Sequence, residues 1–175
     1  MEDRKPRDGA EENLRDATLL FLIKKIDGEI SDICLAMKKR GFGMGRWNGS
    51  GGKVEEGETV RDAALRETKE EIGVEPKNLQ KVAEVSFYFP HKPAWDQKVH
   101  IYFCDEWNGE PTESEEMRPQ WFSVSSLPFD TMWPDDRFWV PEVLAGKLVR
   151  GMFVFGEGDI IQEKNIEVVE TLGEL

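Results

Sequence analysis

The sequence predicts a mixed α/β (α+β) fold in a single domain. Apolar runs with strand-like alternation recur along the chain, while only two stretches carry helical spacing. An apolar share of 39% over 175 residues is ordinary for a globular chain and enough for one real core. The domain is expected over 17-175. The preceding residues 1-16, MEDRKPRDGAEENLRD, are expected to form a disordered charged tail, and they lack the apolar stretch of a signal peptide.

ATLLFLIKKI, from Ala17, reads as a buried strand or as two turns of helix. DICLAMKK alternates more clearly and reads as a second strand, with DGE as the turn between the two. The stretch RGFGMGRWNGSGGKVEEGE has glycines at 41, 43, 45, 49, 51, 52 and 57, the mark of an ordered loop whose backbone makes contacts that side chains would obstruct. Thr59 opens a helix, with TVRD as a capping box carrying Asp in the Glu position, and Gly73 closes it. KVAEVSFYF and KVHIYFCDEW read as strands, and PQWFSVSSL as strand then loop. RFWVPEVLAG reads as a second helix, which tolerates Pro141 only in its first turn. GMFVF and IIQEKNIEVVE read as closing strands or a terminal hairpin. Cys34 and Cys104 lie inside apolar runs and read as buried free thiols.

Charge narrows the function. With 23 Lys+Arg against 35 Asp+Glu, the net charge of -12 argues against broad binding to nucleic acid or anionic membranes. No apolar run approaches the length of a membrane span. A cytoplasmic monomer acting on a small molecule is the default expectation, with a nuclear or mitochondrial pool as the eukaryotic variant.

RETKEEIG concentrates chemistry. On a helical wheel at roughly 100° per residue, Glu67 and Glu71 stack one turn apart, and Glu70 lies about 60° to one side. Val60, Ala63 and Ala64 share that face, Lys69 points elsewhere, and Arg66 can pair with Glu70. A solvated acidic face is the default for such a helix. Small alanines on the same face and a glycine-rich loop feeding the helix favour a second reading, a hard divalent cation held by carboxylate and carbonyl oxygens together with substrate phosphates.

Gly52, five residues, Glu58, seven residues, Arg66-Glu67-Thr68, one residue, Glu70-Glu71, one residue, Gly73-Val74: this spacing resembles the Nudix box, departing at Thr68, where the family usually has an apolar residue. The resemblance implies a mixed sheet sandwiched between helices, and hydrolysis of a nucleoside diphosphate linked to another group. It also implies Mg²⁺, or Mn²⁺ in its place, on Glu67, Glu70, Glu71 and the Gly52 carbonyl. By the same resemblance Glu71 lies nearest the attacking water, and Arg66, paired with Glu58 or Glu70, orients a glutamate.

Beyond the box, MKKRGFGMGRWNGSGGK, DEW...ESEEMRPQWF and MWPDDRFW resemble the MutT-homologue Nudix subfamily, which hydrolyses oxidised purine nucleoside triphosphates and so sanitises the nucleotide pool. Read on its own, Asn48 offers a donor and an acceptor to a base edge. Asp135 and Asp136 adjoin Trp133 and Pro134, and burial with mutual repulsion would leave one of them protonated. Alternatively, the pair caps a helix. The resemblance implies that Asn48, Asp135 and Asp136 read 8-oxoguanine and 2-hydroxyadenine between walls of Phe42, Phe87, Phe89, Met117, Trp133 and Trp139. It places Thr18, Lys38, Ser50, Gly51, Gly52, Lys53 and Pro134 around the nucleotide, and Glu116 as a further metal carboxylate. Taken alone, the aromatic residues and Met117 read more often as core than as pocket, and Lys38 reads by default as a solvated lysine. Ser50, where the subfamily has Phe, and Gln97, near a pocket Met, are departures that would shift the preference among bases. Rival readings are a Nudix enzyme acting on ADP-ribose, a dinucleoside polyphosphate or capped RNA, and a non-catalytic nucleotide-binding module.

Overall fold

The computed structural model of the protein describes residues 14–173. Strands β1 (Arg15–Ile26) and β2 (Glu29–Lys38) form an antiparallel hairpin. Asp27 and Gly28 at its turn both take positive φ (53° and 80°), as the turn that matches strand twist requires. The long glycine loop then leads through the short β3 (Trp47–Asn48) into helix α1 (Val60–Ile72). There follow β4 (Glu75–Pro76), β5 (Gln80–Tyr88), β6 (Gln97–Cys104), β7 (Trp107–Asn108), β8 (Met117–Ser123), helix α2 (Asp136–Leu144), β9 (Leu148–Gly156) and β10 (Ile160–Val169).

The main sheet runs β10-β9-β5-β6-β1-β2-β3, with β8 also on β2. It is mixed: β1 with β6 and β5 with β9 are parallel, and the other pairs are antiparallel. Alternation along β1 and β2 sends Phe21, Ile23, Ile33 and Leu35 to one face, and Leu20, Leu22, Cys34 and Ala36 to the other. The first face is covered by Trp139, Val140 and Val143 of α2, the second by Ala64 and Ile72 of α1. The helices therefore lie on opposite faces, the sandwich that the family resemblance implies. Both cysteines are free and buried.

Two expectations need correction. Arg15 and Asp16 belong to β1, paired with Gln97 and Lys98, because the parallel ladder with β6 extends that far. The rest of the expected tail, residues 1–13, lies outside the described residues. Pro141 sits beyond the first turn of α2. The hydrogen bond it cannot donate would have gone to the carbonyl of Arg137, an exposed residue where water can serve instead. Among the described residues no helix is long and apolar enough to cross a membrane.

Candidate active site

The glycine loop is laid along β1 as if it were another strand. Thr18 N–H donates to the Gly52 carbonyl (2.8 Å), Leu20 N–H to Ser50 O (2.7 Å), and Val54 N–H to Asp16 O (3.0 Å). The approach is too close for side chains. A Cβ on Gly51 would stand 1.7 Å from the Thr18 carbonyl oxygen, and one on Gly52 would stand 2.6 Å from Glu67 Oε1. Glycine at these two positions is what lets β1, the loop and α1 meet.

Helix α1 is fixed at both ends. The Thr59 hydroxyl accepts from the Asp62 amide (3.0 Å), and Gly73, at φ 71°, donates to Lys69 O (3.0 Å). Ala63 and Ala64 are fully buried, so the helix lies flat on the sheet. Its three predicted carboxylates then separate by environment. Glu71 is buried (3% exposed) and accepts the Gly51 N–H at Oε2 (3.2 Å). The Glu67 side chain is 16% exposed, and that of Glu70 is 60% exposed. Burial pushes the Glu71 carboxyl up to about 8; Lys38 pulls it back, and Glu67 and Glu116 add to the rise. Glu67 is likewise raised by burial, against Arg66.

Arg66 organises this face. Its Nε and one terminal nitrogen grip Glu58 (2.7 and 2.9 Å), while the other reaches Glu67 (2.8 Å) and, at 3.4 Å, Glu70. The fork–fork contact makes Glu58, not Glu70, its main partner and holds the Glu58 carboxyl down to about 2. Lys69 turns away to Glu75 (2.8 Å). Glu116 lies across the face, bonded to Arg40 (3.3 Å) and near Lys38 (3.8 Å). Among the described residues, no three acidic, His or Cys side chains are already gathered as a ligand set. The Gly52 carbonyl already accepts Thr18 N–H (2.8 Å) and, at 3.4 Å, the Thr18 hydroxyl, so a cation there would displace the longer of the two bonds. The chemistry of the donors still fits a hard divalent ion: a buried carboxyl with carboxylate neighbours, backbone oxygen, and no nitrogen or sulfur ligand.

Beside the acidic face opens a cavity of about 160 Å³. Thr18, Lys38, Gly51, Gly52 and Met117 line the part nearer the carboxylates; Phe42, Asn48, Phe87, Phe89, Trp133, Asp135, Asp136 and Trp139 line the rest. The structure thus brings most of the predicted nucleotide residues onto one wall. Ser50, Lys53 and Pro134 are not on it. Ser50 is buried in its bonds to Leu20, and Pro134 lines a separate surface groove. Gln97, Val99, Ile101, Phe155, Gly43 and Arg46 also line the cavity. Of these only Gln97 stood out in the sequence. An arginine inside a run of glycines and aromatics was the available signal for Arg46, and Phe155 looks like any other core residue of an alternating strand.

Asp135 and Asp136 are both 2% exposed. Trp139 Nε1–H donates to Asp135 Oδ2 (2.8 Å), while Asp136 Oδ2 is buried without a protein partner. Burial raises both carboxyls, Asp135 to about 6, and the charge of Asp135 pushes Asp136 higher still. The helix-capping alternative is not what these side chains do, since Asp135 stands at the N-cap of α2 without a side-chain cap bond.

The NUDIX domain family matches residues 14–143. The chain is 49% identical to the "Oxidized purine nucleoside triphosphate hydrolase" of Mus musculus over 79% of this chain and 88% of that protein. It is 46% identical to the Danio rerio protein of the same name, over 80% and 89%. In fold it resembles a MutT protein from Bacillus halodurans, with a TM-score of 0.75 at 22% identity, covering 88% of this chain and 98% of that one. The glycine loop, the Arg66–Glu58 fork and the graded carboxylates of α1 are therefore the box of a family in which sequence and fold agree: the chain belongs to the NUDIX domain family, as a Nudix hydrolase.

Proposed function

We propose that the protein hydrolyses oxidised purine nucleoside triphosphates, 8-oxo-dGTP and 2-hydroxy-dATP, to the monophosphate and pyrophosphate. One observation carries the reading: an aromatic-lined cavity holds in its wall a buried carboxyl pair, one of whose oxygens has no protein partner, and the same cavity adjoins the acidic face of α1. A purine stacks on Phe42 and Trp133, and its polar edge supplies what Asp136 Oδ2 lacks. Asn48 adds a donor and an acceptor. Its side-chain oxygen accepts the Gly49 N–H (2.9 Å), which leaves the amide nitrogen free to donate to the base. The names of the mammalian and fish relatives point to the same class, oxidised purine nucleoside triphosphates.

At the other end Glu67, Glu70, Glu71 and Glu116 are the residues that would hold the metal, which we take to be Mg²⁺. When bound, such an ion neutralises phosphate oxygens and acidifies water. Glu71, buried and fixed by the Gly51 N–H, is placed to orient the attacking water and take its proton. Arg66 and Glu58 keep Glu67 aimed at the same place. Lys38, between cavity and acidic face, meets the phosphates. Water adds its hydroxyl to phosphorus, the α–β anhydride bond breaks, and pyrophosphate leaves with the bridging oxygen.

The test is a substrate panel of 8-oxo-dGTP, 2-hydroxy-dATP, dGTP and dATP with phosphate products resolved by mass. Oxidised purines are expected to lead in kcat/KM, and Glu71→Gln to lower kcat by about 10²–10⁴. Equal turnover of dGTP and the oxidised bases would sink the substrate reading. Full activity of Glu71→Gln would sink the catalytic one.

A further inference from the structure

Trp95 does not line the base cavity, yet it packs against two residues that do. Its ring stands 4.9 Å from that of Phe42, tilted by 54°, and 5.6 Å from that of Phe89, edge to face. Phe42 is the wall residue that needs such a support. Phe87 and Phe155 are held on the ladders of β5, β9 and β10, and the Phe89 N–H donates to Asp96 Oδ1 (2.7 Å). Phe42 stands instead on the glycine loop, 44% exposed, between Gly41 and Gly43 at φ 79° and 84°. The hydrogen bonds of that turn run from Met44 N–H to Gly41 O (3.1 Å), Gly45 N–H to Lys38 O (2.9 Å) and Arg46 N–H to Gly43 O (3.1 Å), and they pass over Phe42. Ring contacts therefore set where Phe42 lies. Trp133 meets it at 5.1 Å and Phe89 at 6.1 Å from the cavity lining, and Trp95 from outside that lining.

We propose that Trp95 is a substrate-positioning residue: from outside the cavity it props Phe42 in place as part of the aromatic wall on which a purine stacks. This deepens the substrate reading above and rests on it. The prop is itself firmly set. Trp95 ends the single 3-10 turn Pro93–Trp95 between β5 and β6. Lys92 N–H donates to Phe89 O (2.8 Å), Trp95 N–H to Lys92 O (3.0 Å) and Asp96 N–H to Pro93 O (3.1 Å). The Lys92 ammonium lies over the Trp95 ring at 4.0 Å. With Asp96 bonded back to Phe89, one short connection carries both a wall residue and the support of another. Phe42 and Trp133 touch, so the two rings offer the base one continuous apolar surface only while Phe42 keeps its place. Stacking acts on the π face, which every purine has, and not on the polar edge that Asn48 and Asp135–Asp136 meet. Trp95 therefore contributes affinity for the base and leaves the choice among bases to the edge.

The decisive experiment is a double-mutant cycle between Trp95 and Phe42, read as KM and kcat for 8-oxo-dGTP and dGTP. Trp95→Ala should raise KM about tenfold for both nucleotides, with kcat within about twofold of wild type, because what is lost is binding shared by ground and transition states. Trp95→Phe, which keeps a flat ring, should recover most of the loss. In a Phe42→Ala background Trp95→Ala should raise KM no further, since the wall it supports is already gone. The Kd of 8-oxo-dGMP, from calorimetry without metal, should move with KM in each variant. A purely structural role would lower the melting temperature and leave KM in place, or would add its full effect to that of Phe42→Ala, and either result overturns the proposal. So would a rise in KM confined to one of the two bases. If Trp95→Ala does not fold by circular dichroism, Trp95→Leu takes its place in the same cycle, keeping apolar volume without the ring. A wild type that turns over dGTP and 8-oxo-dGTP equally would overturn the substrate reading, while the coupling of Trp95 to Phe42, measurable with either base, still judges Trp95.

Discussion

Arg66 shows how one side chain divides a crowd of like charges into different tasks. Glu58 takes two of its N–H groups, Glu67 a third, and Glu70 only the edge of one. Glu71 is outside its reach and depends on burial and the Gly51 amide. Losing Glu58 would leave Arg66 free to swing and Glu67 without a fixed rotamer. Glu58→Gln is therefore expected to lower kcat/KM or the apparent affinity for divalent ion by about 10–100-fold, read from Mg²⁺ titrations of the rate. Glu71 presents the opposite case. A carboxyl buried beside other carboxyls is held at a cost in the metal-free protein, so metal-free Glu71→Gln should melt no lower than metal-free wild type. Wild type should gain stability from Mg²⁺, about 2.7 kcal/mol at a hundred times Kd, and the variant much less. Paired melting curves in Mg²⁺ and in chelator check both halves.

At the scale of elements, the helix and strands were legible because their signals are local. Thr59, Gly73 and the 3.6-residue spacing between them defined α1, and the DG turn defined the first hairpin. The box was legible for the same reason: its ligands sit on one loop and one helix. The cavity was only partly so without the resemblance. Phe87, Phe89 and Phe155 are strand residues whose alternation says which face they take, but not that a gap is left there. The gap arises because β5, β9 and the segment before α2 meet around a loop, and no spacing in the chain records that meeting. Pro141 was misplaced because the rule against mid-helix proline assumes a helix whose carbonyls have no other partner. The element most exposed to test is the join of loop and helix. Thr59→Ala should cost about 1 kcal/mol in urea unfolding. Gly51→Ala should cost more and also abolish turnover, since its methyl would fall on the Thr18 carbonyl. A Gly51→Ala enzyme with normal kcat would mean the loop is free to move off β1.

At the scale of the whole molecule, the central strands are tied by a polar network on the α1 side of the sheet. Glu84 of β5 accepts from Lys81 (2.9 Å) and pairs with Lys98 of β6 (2.9 Å). Lys81 also meets His100 Nδ1 (2.8 Å), whose Nε2 meets Asp16 of β1 (2.9 Å). Because a lysine ammonium only donates, Nδ1 must accept and the Nε2 proton must go to Asp16. Burial, helped by Lys81, lowers the tendency of His100 to take a second proton and keeps it in that neutral form. Asp16 in turn accepts Val54 N–H through its carbonyl, so the network reaches the loop that carries Gly51 and Gly52. Its pH response has a definite sign. Burial alone would raise the Glu84 carboxyl, but bonds to Lys81 and Lys98 outweigh it and bring it down to about 2, below the 4.5 of an unperturbed group. A depressed acid stabilises the fold fully above the unfolded value, and the contribution fades as pH falls from 4.5 towards 2. Glu84→Gln should therefore destabilise the protein by about 2 kcal/mol at neutral pH, a charge-assisted bond replaced by a neutral one. The gap between variant and wild type should hold constant down to about pH 5 and narrow below pH 4.5 in denaturant titrations. A gap that widened on acidification would mean that Glu84 binds its proton more readily folded than unfolded, and that the lysines do not hold it as the distances indicate.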